Sequence, residues 1–268
     1  MGESMIATFT DGEGRPLVHR LVRSRHGASR PAVRADSGGF EMNWSEYWER
    51  LESGDLLFRG QSDEYVARLL AAVPVHSHNR VLDFGCGFGF VASALAPRVG
   101  SVAVWDPSPR MRSRAVATLK PHANARLIDL SQATPGERFD VILVNSVAQY
   151  MTSAEFDVWL ERWRDLLVKS GRLVLSDLLP LAHGTWVDVI DILRFSSRRR
   201  ILLRTIREAT VEVRRYWRTR AVQPLVHIDR DDLCRRARAA GFTVAFMERN
   251  LTHLTRRTTA LLTVSDRR

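Results

Sequence analysis

The fold of this chain is decided by one strand–turn–helix segment, Val81-Leu82-Asp83-Phe84-Gly85-Cys86-Gly87-Phe88-Gly89. Its first residues form a short apolar run that is typical of a buried strand, and the glycines that follow lead into an apolar helix. Glycine lets a ligand approach the backbone closely, and a helix N-terminus offers free N–H groups, so such turns bind nucleotide-like ligands in α/β proteins. Because a tight strand–helix connection also needs glycine, the turn alone does not identify a ligand.

The carboxylate of Asp83, directly before the glycines, narrows the choice of ligand. A pyrophosphate in this turn would face a fixed negative charge at close range, which is unfavourable. A dinucleotide-binding turn would also have its third glycine where this chain has Phe90. A ligand with an ammonium and a sulfonium group would instead be attracted by the carboxylate, and S-adenosylmethionine is such a ligand. The segment therefore favours a methyl donor over a dinucleotide.

A second acid, Asp106, follows at the end of the next predicted strand. From this position an acid can accept hydrogen bonds from both hydroxyls of a ribose. Its side chain could instead cap the helix that begins near Pro107, a residue suited to the first turn of a helix. The two roles do not exclude each other, so Asp106 supports the same ligand from a second point.

Strands and helices alternate on both sides of this motif. Strands are predicted at 80–84, 101–105, 125–128, 139–144 and 172–175, and later at 243–248 and 259–264. Helices are predicted at 89–96, 107–119, 153–170 and 229–240. Ser153 is the predicted N-cap of the third of these helices, and Gly171 its predicted end. The alternation predicts a doubly wound α/β fold, with a mostly parallel seven-stranded sheet between helices.

The chain is expected to have five parts. Residues 1–41 combine Gly, Ser and Pro with scattered charge and are expected to form a disordered tail, with an arginine-containing transit peptide as the alternative. The other parts are an N-terminal helical cap (42–78), a cofactor-binding core (79–183), a basic helical insertion that forms a lid (184–226), and the C-terminal part of the core (227–268).

Within the cap, apolar residues at helical spacing in 44–51 and 65–70 predict helices. Gly54-Asp55 and then the polar Arg59-Gly60-Gln61 lie between them, and the second of these segments interrupts the pattern and predicts a helix break. Because the cap adjoins the first strand, Arg59 and Gln61 are candidates for contact with the substrate or with a carboxylate of the ligand. A solvated turn is the alternative interpretation for both.

Residues 81–176 resemble the core of class I S-adenosylmethionine-dependent methyltransferases of the small-molecule type. Besides the acidic glycine motif, the resemblance rests on Asp106-Pro107-Ser108-Pro109-Arg110-Met111, Asp129-Leu130 and Val144-Asn145-Ser146-Val147-Ala148-Gln149-Tyr150. It implies a Rossmann-like fold, S-adenosylmethionine as the cofactor and methyl transfer as the activity.

The resemblance also implies a role for each cofactor-binding residue. The methionine portion of the cofactor would be held by Asp83, Gly85, Cys86, Gly87, Gly89, Asn145 and Ser146. Asp106 would bind the ribose, and Asp129 would accept a hydrogen bond from the adenine amino group beside the backbone N–H of Leu130. Pro107 replaces an apolar residue that often packs on adenine, so Trp105 or Met111 is a candidate to cover the ring, although a tryptophan at a strand end more often belongs to the core. For Asp129, a role in capping a loop remains open.

Substrates of open α/β sheets bind beyond the carboxyl ends of the strands. This rule points to Gln149 and Tyr150 after the fourth strand, and to Asp177 and His183 after the fifth. His183 is the first candidate for a general base, and Tyr150 is a candidate for catalysis or for a wall of the site.

The basic insertion is the most distinctive part of the chain. A wide apolar face is predicted from Trp186, Val187, Val189, Ile190, Ile192, Leu193 and Phe195, and Arg198-Arg199-Arg200 follow it. The main interpretation is a lid helix packed on the core, with solvated arginines. The alternatives are a clamp for an anionic substrate, or a helix at a membrane surface that presents a lipid-linked substrate.

Composition excludes several classes of protein. Of the 268 residues, 45% are hydrophobic, enough for a full core, and no apolar run reaches the roughly 18–20 residues of a membrane span. Cys86 and Cys234 suggest neither a disulfide nor a zinc site, no metal site is expected, and a reducing cytoplasm fits. The net charge of +10 comes almost entirely from arginine, which coding bias can produce, so it does not indicate a nucleic-acid partner.

The predicted function is methyl transfer from S-adenosylmethionine to O, N or C of a small metabolite, by in-line displacement. A nucleic-acid methyltransferase would have an Asn/Asp-Pro-Pro-aromatic segment where this chain has Asn145-Ser146-Val147-Ala148. A cofactor-binding protein without transfer activity is a further alternative. An NAD-dependent oxidoreductase is disfavoured by Asp83 and Phe90.

Overall fold

A computed structural model describes residues 44–51, 55–130, 136–181 and 185–265. The predicted tail (1–41) and the candidate base His183 lie outside these ranges, so both remain predictions, as do the boundaries of the five parts. Among the described helices, none is long and apolar enough to cross a membrane.

The centre of the molecule is a seven-stranded sheet in the order β3-β2-β1-β4-β5-β7-β6. Its strands are β1 (Arg80–Phe84), β2 (Ser101–Trp105), β3 (Ala125–Leu127), β4 (Phe139–Asn145), β5 (Leu167–Leu178), β6 (Phe242–Phe246) and β7 (Thr258–Val264). The pairs among β1 to β5 are parallel, and β7 runs antiparallel to both of its neighbours. The predicted doubly wound, mostly parallel sheet is confirmed.

Helices cover both faces of the sheet. They are α1 (Trp44–Glu49), α2 (Asp55–Ala72), α3 (Phe90–Leu95), α4 (Pro109–Leu119), α5 (Ser153–Leu166), α6 (Thr185–Arg198), α7 (Leu202–Val222) and α8 (Arg230–Ala239). Alternate residues of a strand point to opposite faces. Leu82 and Phe84 accordingly pack with α5 and α8, whereas Val81 packs with α2, α3 and α4. The central strands are therefore apolar on both faces, as a buried parallel sheet requires, whereas the edge strands β3 and β6 are partly exposed.

A third apolar cluster, here called the cap cluster, lies where α1 meets the glycine turn. It contains Trp44, Tyr47, Leu51, Phe88, Phe90, Met111, Leu179 and Leu225, with Trp48, Phe58, Tyr150 and Tyr216 packed against it. The backbone N–H of Trp44 donates to Gln223 Oε1 (3.0 Å), and its indole N–H donates to the Gln223 carbonyl (2.9 Å). The predicted helical cap is thus joined to the end of the lid helix α7.

The predicted helix break at Arg59-Gly60-Gln61 is wrong, because these residues lie inside α2. The break comes earlier, between the end of α1 and Asp55. A Cβ at Gly60 would stand 3.5 Å from the ring of Phe195 in α6, an ordinary van der Waals contact, so packing does not require glycine at this position. A single glycine inside a helix lowers its stability without ending it.

Three predicted element ends are also wrong. Pro107 precedes α4, whose N-cap is Ser108 and whose first-turn proline is Pro109. Helix α5 ends at Leu166 and β5 begins at once, so Gly171 lies inside the strand. The N-cap of α5 is Thr152 and not Ser153.

Thr152→Ala is expected to lower the free energy of unfolding by about 1 kcal/mol, measured by urea denaturation. Thr152 Oγ1 accepts from the Glu155 N–H (3.2 Å), so the variant leaves this N–H without its partner, whereas the bond from the residue 152 N–H to the Glu155 carboxylate (2.8 Å) can persist. Ser153→Ala is the matched control, with a smaller expected loss. A larger loss in the control would contradict this assignment of the cap.

Candidate active site

The glycine turn has three glycines with positive φ, and they serve different purposes. A Cβ on Gly85 (φ 74°) would stand 2.4 Å from Val147 Cγ2, and one on Gly89 (φ 75°) would stand 3.0 Å from Ala115 Cα. Both positions are therefore closed by packing of the protein on itself. A Cβ on Gly87 (φ 52°) would meet nothing within 4 Å. Gly87 thus presents its backbone to open space, where a ligand can lie against it.

Cys86, between the first two of these glycines, is buried in the turn. Its backbone N–H and that of Gly85 both donate to the carbonyl of Trp105, at 3.1 and 2.7 Å. These bonds tie the turn to the end of β2. Burial raises the pKa of the Cys86 thiol, which therefore stays protonated and unreactive.

The carboxylate of Asp83 is the least compensated charge of the turn. Its side chain is 2% exposed, and its Oδ2 has no hydrogen-bond partner among the described residues. Burial, with the nearby charge of Asp106, raises the pKa of Asp83 to about 7, against the lowering effect of the Ala92 N–H. Asn145, at the end of the neighbouring strand β4, likewise has a buried Oδ1 with no partner in the described part of the chain.

The side chain of Asp106 lies at the end of β2, as the ribose-binding prediction requires. Its Oδ2 accepts from the Gly87 N–H (2.8 Å) and its Oδ1 accepts from the Ser108 N–H (2.9 Å). Burial raises the pKa of Asp106 to about 6, although these two N–H groups and Arg112 lower it. The alternative role as N-cap of α4 falls to Ser108, whose Oγ accepts from the Met111 N–H.

The residues predicted near the adenine lie on two sides of the turn. Pro107 is half-buried beside Asp106, and Met111 is fully buried in the cap cluster. Asp129 is exposed, and its charge acts on the guanidinium of Arg162, which also donates to the Leu130 carbonyl. Because residues 131–135 lie outside the described ranges, the adenine-binding roles of Asp129 and Leu130 remain predictions.

Beyond β4, the predicted cofactor residue Ser146 is bonded to β5. Ser146 has φ 58°; its N–H donates to the Ser176 carbonyl (3.1 Å), and its Oγ donates to Asp177 Oδ2 (2.8 Å). Asp177 also accepts from Thr252 Oγ1 (2.7 Å) and Asn250 Nδ2 (3.1 Å). The Asp177 carboxylate, predicted to contact substrate, is therefore engaged within the protein, and its geometry favours positioning Ser146.

Arg257, from the connection between β6 and β7, is the centre of this buried network and was not predicted. Its Nη1 donates to Asp177 Oδ2 (3.0 Å) and to Gln149 Oε1, and its Nη2 donates to Asp188 Oδ2 of α6 (2.8 Å). Burial would raise the pKa of Asp177, but Arg257 and the hydrogen bonds to Asp177 lower it below its usual value. Gln149, also a predicted substrate contact, is held by the same guanidinium.

The surroundings of Tyr150 favour the second of the two roles considered for it, a wall of the site. Its ring lies 4.8 Å from Trp44 and 5.9 Å from Trp48, between centroids. Burial raises the pKa of the phenol, so Tyr150 stays protonated at neutral pH and is unsuited to act as a base.

The cap residues Arg59 and Gln61 lie on different sides of α2. Arg59 is exposed and stacks its guanidinium 4.4 Å from the ring centroid of Phe90, the first residue after the glycine turn. Gln61 Nε2 lies 3.4 Å from Nε2 of His253. Arg59 is therefore placed beside the cofactor turn, and Gln61 beside the connection between β6 and β7.

His253 is a second residue of this connection that was not predicted. It is buried, packs on Phe195 (4.8 Å between centroids), and its Nδ1 has no partner within the described ranges. Burial lowers the pKa of His253, so the ring is neutral at neutral pH and can accept a proton. The polar run Asn250 to Arg257 between the last two strands is a signal that could have identified the connection.

These features fit S-adenosylmethionine. A buried carboxylate oxygen without a partner suits a cationic group, the open side of Gly87 leaves room beside it, and Asp106 lies next to both. In the described part of the chain, no three His, Cys, Asp or Glu side chains are grouped to hold a metal ion.

Comparison with known sequences identifies the family of this chain. A family model described as a methyltransferase domain matches residues 57–245. An uncharacterized methyltransferase of Geobacillus kaustophilus is 32% identical over 138 residues, 50% of this chain and 63% of the relative. A ubiquinone biosynthesis O-methyltransferase of Bradyrhizobium diazoefficiens is 31% identical over 37% of this chain and 40% of the relative. A trans-aconitate 2-methyltransferase of Methylobacterium radiotolerans is 32% identical over 48% and 49%. The chain thus spans less than two thirds of the length of these relatives.

Solved structures with the same fold include methyltransferases. Magnesium protoporphyrin IX methyltransferase from Synechocystis PCC 6803, with bound SAH, superposes with a TM-score of 0.52 at 18% identity, over 85% of this chain and 90% of that one. The pyocyanin biosynthetic protein PhzM superposes with a TM-score of 0.57 at 14% identity, over 85% and 63%. At these identities the likeness concerns the fold. Because the family model covers more than half of the chain, the chain belongs to the methyltransferase-domain family, with the class I fold of the S-adenosylmethionine-dependent methyltransferases.

Proposed function

We propose that this chain transfers a methyl group from S-adenosylmethionine to an oxygen, nitrogen or carbon atom of a small metabolite. The observation that carries the proposal is the buried carboxylate of Asp83, whose Oδ2 has no partner among the described residues. A cationic ligand beside Gly87 would give that oxygen a partner, whereas a phosphate there would add a second negative charge to the site.

The proposed cofactor contacts follow the predicted roles. Asp83 and the glycine turn would hold the methionine portion, with the free Asn145 Oδ1 and Ser146 on its other side. Asp106 would exchange its bond to Gly87 for bonds to the ribose hydroxyls. Asp129 and the Leu130 N–H would complete the adenine site.

The cofactor, when bound, supplies a methyl group that its sulfonium already activates. The protein then has to align the nucleophile with this methyl group and exclude water. The cap cluster can exclude water, because its rings cover the glycine turn. Gln149 and Tyr150 are the proposed substrate contacts after β4, and Gln61 is one from the cap.

A general base is required only for substrates that bind in protonated form. His183 remains the predicted base. His253 is a second candidate, since it lies at the carboxyl edge of the sheet with a neutral ring and an Nδ1 that has no partner among the described residues. Both histidines would act on the substrate side, beyond β5.

The proposed substrate is a small molecule. By its name, one relative acts in the biosynthesis of ubiquinone, a small molecule. By its name, another acts on trans-aconitate, a small anionic molecule. The exposed guanidinium of Arg59 beside the turn suits an anionic substrate. A nucleic-acid substrate and an NAD-dependent reaction are not proposed, and a cytoplasmic location remains a prediction.

Calorimetric titration of the full chain with S-adenosylhomocysteine is the first test, with NAD as the control ligand. Binding of S-adenosylhomocysteine alone is expected. Asp83→Asn, which keeps the shape of the side chain but removes its charge, should weaken binding by at least about tenfold. Equal affinity of the variant and the parent, or binding of NAD, would reject the proposed cofactor site.

The affinity for S-adenosylhomocysteine is expected to rise with pH up to about 7 and then level off. The ammonium group of the ligand needs a charged Asp83, whose pKa in the unliganded protein is about 7. Since this pKa lies above that of the unfolded chain, unliganded protein should also lose stability as the pH rises towards 7. Asp83→Asn should flatten both profiles, measured by calorimetry and thermal unfolding. A pH-independent affinity in the parent would contradict this role.

Gly87→Ala and Gly85→Ala should separate ligand binding from folding. Gly87→Ala places a methyl group in open space and should cost roughly 1 kcal/mol of stability, from its positive φ alone, while blocking the ligand. Gly85→Ala must also displace Val147 and should cost roughly 2 kcal/mol more. Thermal unfolding and S-adenosylhomocysteine titration of both variants measure this. A Gly87→Ala protein that binds like the parent would place the ligand elsewhere.

A further inference from the structure

The lid helix α6 turns its acidic residues towards the protein. Asp188 and Asp191 are buried, at 6% and 4% exposure, and lie on the same face as the fully buried Phe195. Asp188 is paired with Arg257 (2.8 Å), and Asp191 Oδ2 accepts from the N–H (2.7 Å) and Oγ1 (2.8 Å) of Thr255. The inner face of α6 therefore carries two aspartates beside the apolar Phe195, and the aspartates are bonded to the connection between β6 and β7.

The opposite face of α6 is apolar and exposed. We call Trp186, Ile190 and Leu193 the outer lid face, because their spacing of four and three residues places them on one side of the helix. Their exposed fractions are 78%, 45% and 42%. The predicted wide apolar face packed on the core is thus wrong for these three residues. A helix with this arrangement leaves a large apolar surface in water, which marks a site of interaction.

Positive charge surrounds this face. From Ile192 to Arg207 the chain has no Asp or Glu, and it contains Arg194, Arg198, Arg199, Arg200, Arg204 and Arg207. Arg194, Arg198 and Arg200 are exposed, and so is Leu203, at the start of α7. Arg199 is also exposed, but its guanidinium is directed towards α2, where it pairs with Glu64 (3.8 Å), and is not part of the outer lid face. The surface therefore combines a tryptophan, aliphatic side chains and arginine, the composition of helices that lie in the headgroup region of a membrane.

We propose that the outer lid face docks on an anionic lipid surface, with Trp186, Ile190 and Leu193 inserted at the headgroup level and the arginines on lipid phosphates. Charge selects this occupant. A second copy of a chain with net charge +10 would bring two arginine clusters together. A nucleic acid would use the arginines but leave the three apolar side chains in water. An anionic bilayer satisfies both.

The docking surface goes beyond the proposed methyl transfer and does not depend on it. It is nevertheless coupled to the candidate site, because the inner face of the same helix is bonded to Arg257 through Asp188. Arg257 in turn holds Asp177 and Gln149. Docking would therefore fix the lid in place over the edge of the sheet where the substrate binds.

Co-sedimentation of the full chain with lipid vesicles tests the docking surface. The chain should bind vesicles of phosphatidylcholine mixed with phosphatidylglycerol, should not bind pure phosphatidylcholine, and should be released by salt. The triple variant Trp186→Ser, Ile190→Ser, Leu193→Ser should bind the mixed vesicles at least about tenfold more weakly. Far-UV circular dichroism and S-adenosylhomocysteine titration of the same variant report its folding and cofactor binding independently of the docking result.

The matched control is Leu56→Ser, Val116→Ser, Leu127→Ser, which removes three exposed apolar side chains from other surfaces. It should bind the mixed vesicles like the parent. Four results would overturn the proposal: no binding by the parent, equal binding to both vesicle types, equal loss in both triple variants, or an outer lid face that supports only self-association or DNA binding. The first excludes a lipid surface, the second excludes a requirement for anionic lipid, the third excludes the outer lid face as the contact, and the last would assign the face to another partner.

Discussion

One buried guanidinium, that of Arg257, joins the elements that surround the candidate site. It binds Asp177 on β5, Asp188 on α6 and Gln149 after β4. Burying a charge costs several kcal/mol unless partners replace the water it loses, and the planar fork of arginine can satisfy several acceptors at once. These contacts therefore fix the relative positions of helix α6, strand β5 and the loop after β4. Ser146 and Gln149 take their positions from the same network.

Asp177 and Asp83 are both buried at the carboxyl edge of the sheet, but their surroundings suit different roles, one structural and one in ligand binding. Asp177 is surrounded by donors, and its pKa lies below the usual value. Asp83 keeps an oxygen without a partner in the described part of the chain, and its pKa is raised to about 7. A cationic ligand would add little stabilisation to a carboxylate that the protein already neutralises, but it would stabilise a carboxylate that has no such partner. This contrast supports Asp83 as the cofactor residue and Asp177 as a positioning residue.

The sheet could be predicted because its signals are local: apolar runs of strand length, glycine turns, and acids at two strand ends. Element ends were less predictable, as the start of α5 shows. Thr152 and Ser153 are both good N-caps, and the choice depends on which has Glu155 three residues later. Arg257 could not be predicted from its neighbours, since it contacts Asp177 from 80 residues away. The burial of Asp188 on the inner face of α6 also depends on Arg257, which is distant in the sequence.

The two hydrogen bonds between Trp44 and Gln223 have a kinetic consequence. They join helix α1 of the cap to the end of α7. The rings of Tyr150 and Tyr216 pack on the same indole. Ring pairs of this kind each contribute roughly 0.5–1.5 kcal/mol beyond the area they bury. A molecule bound at the glycine turn and leaving past the cap would have to wait until these contacts separate. Opening of the cap would then be slow, and release of the demethylated cofactor, and not methyl transfer, would limit the rate of turnover.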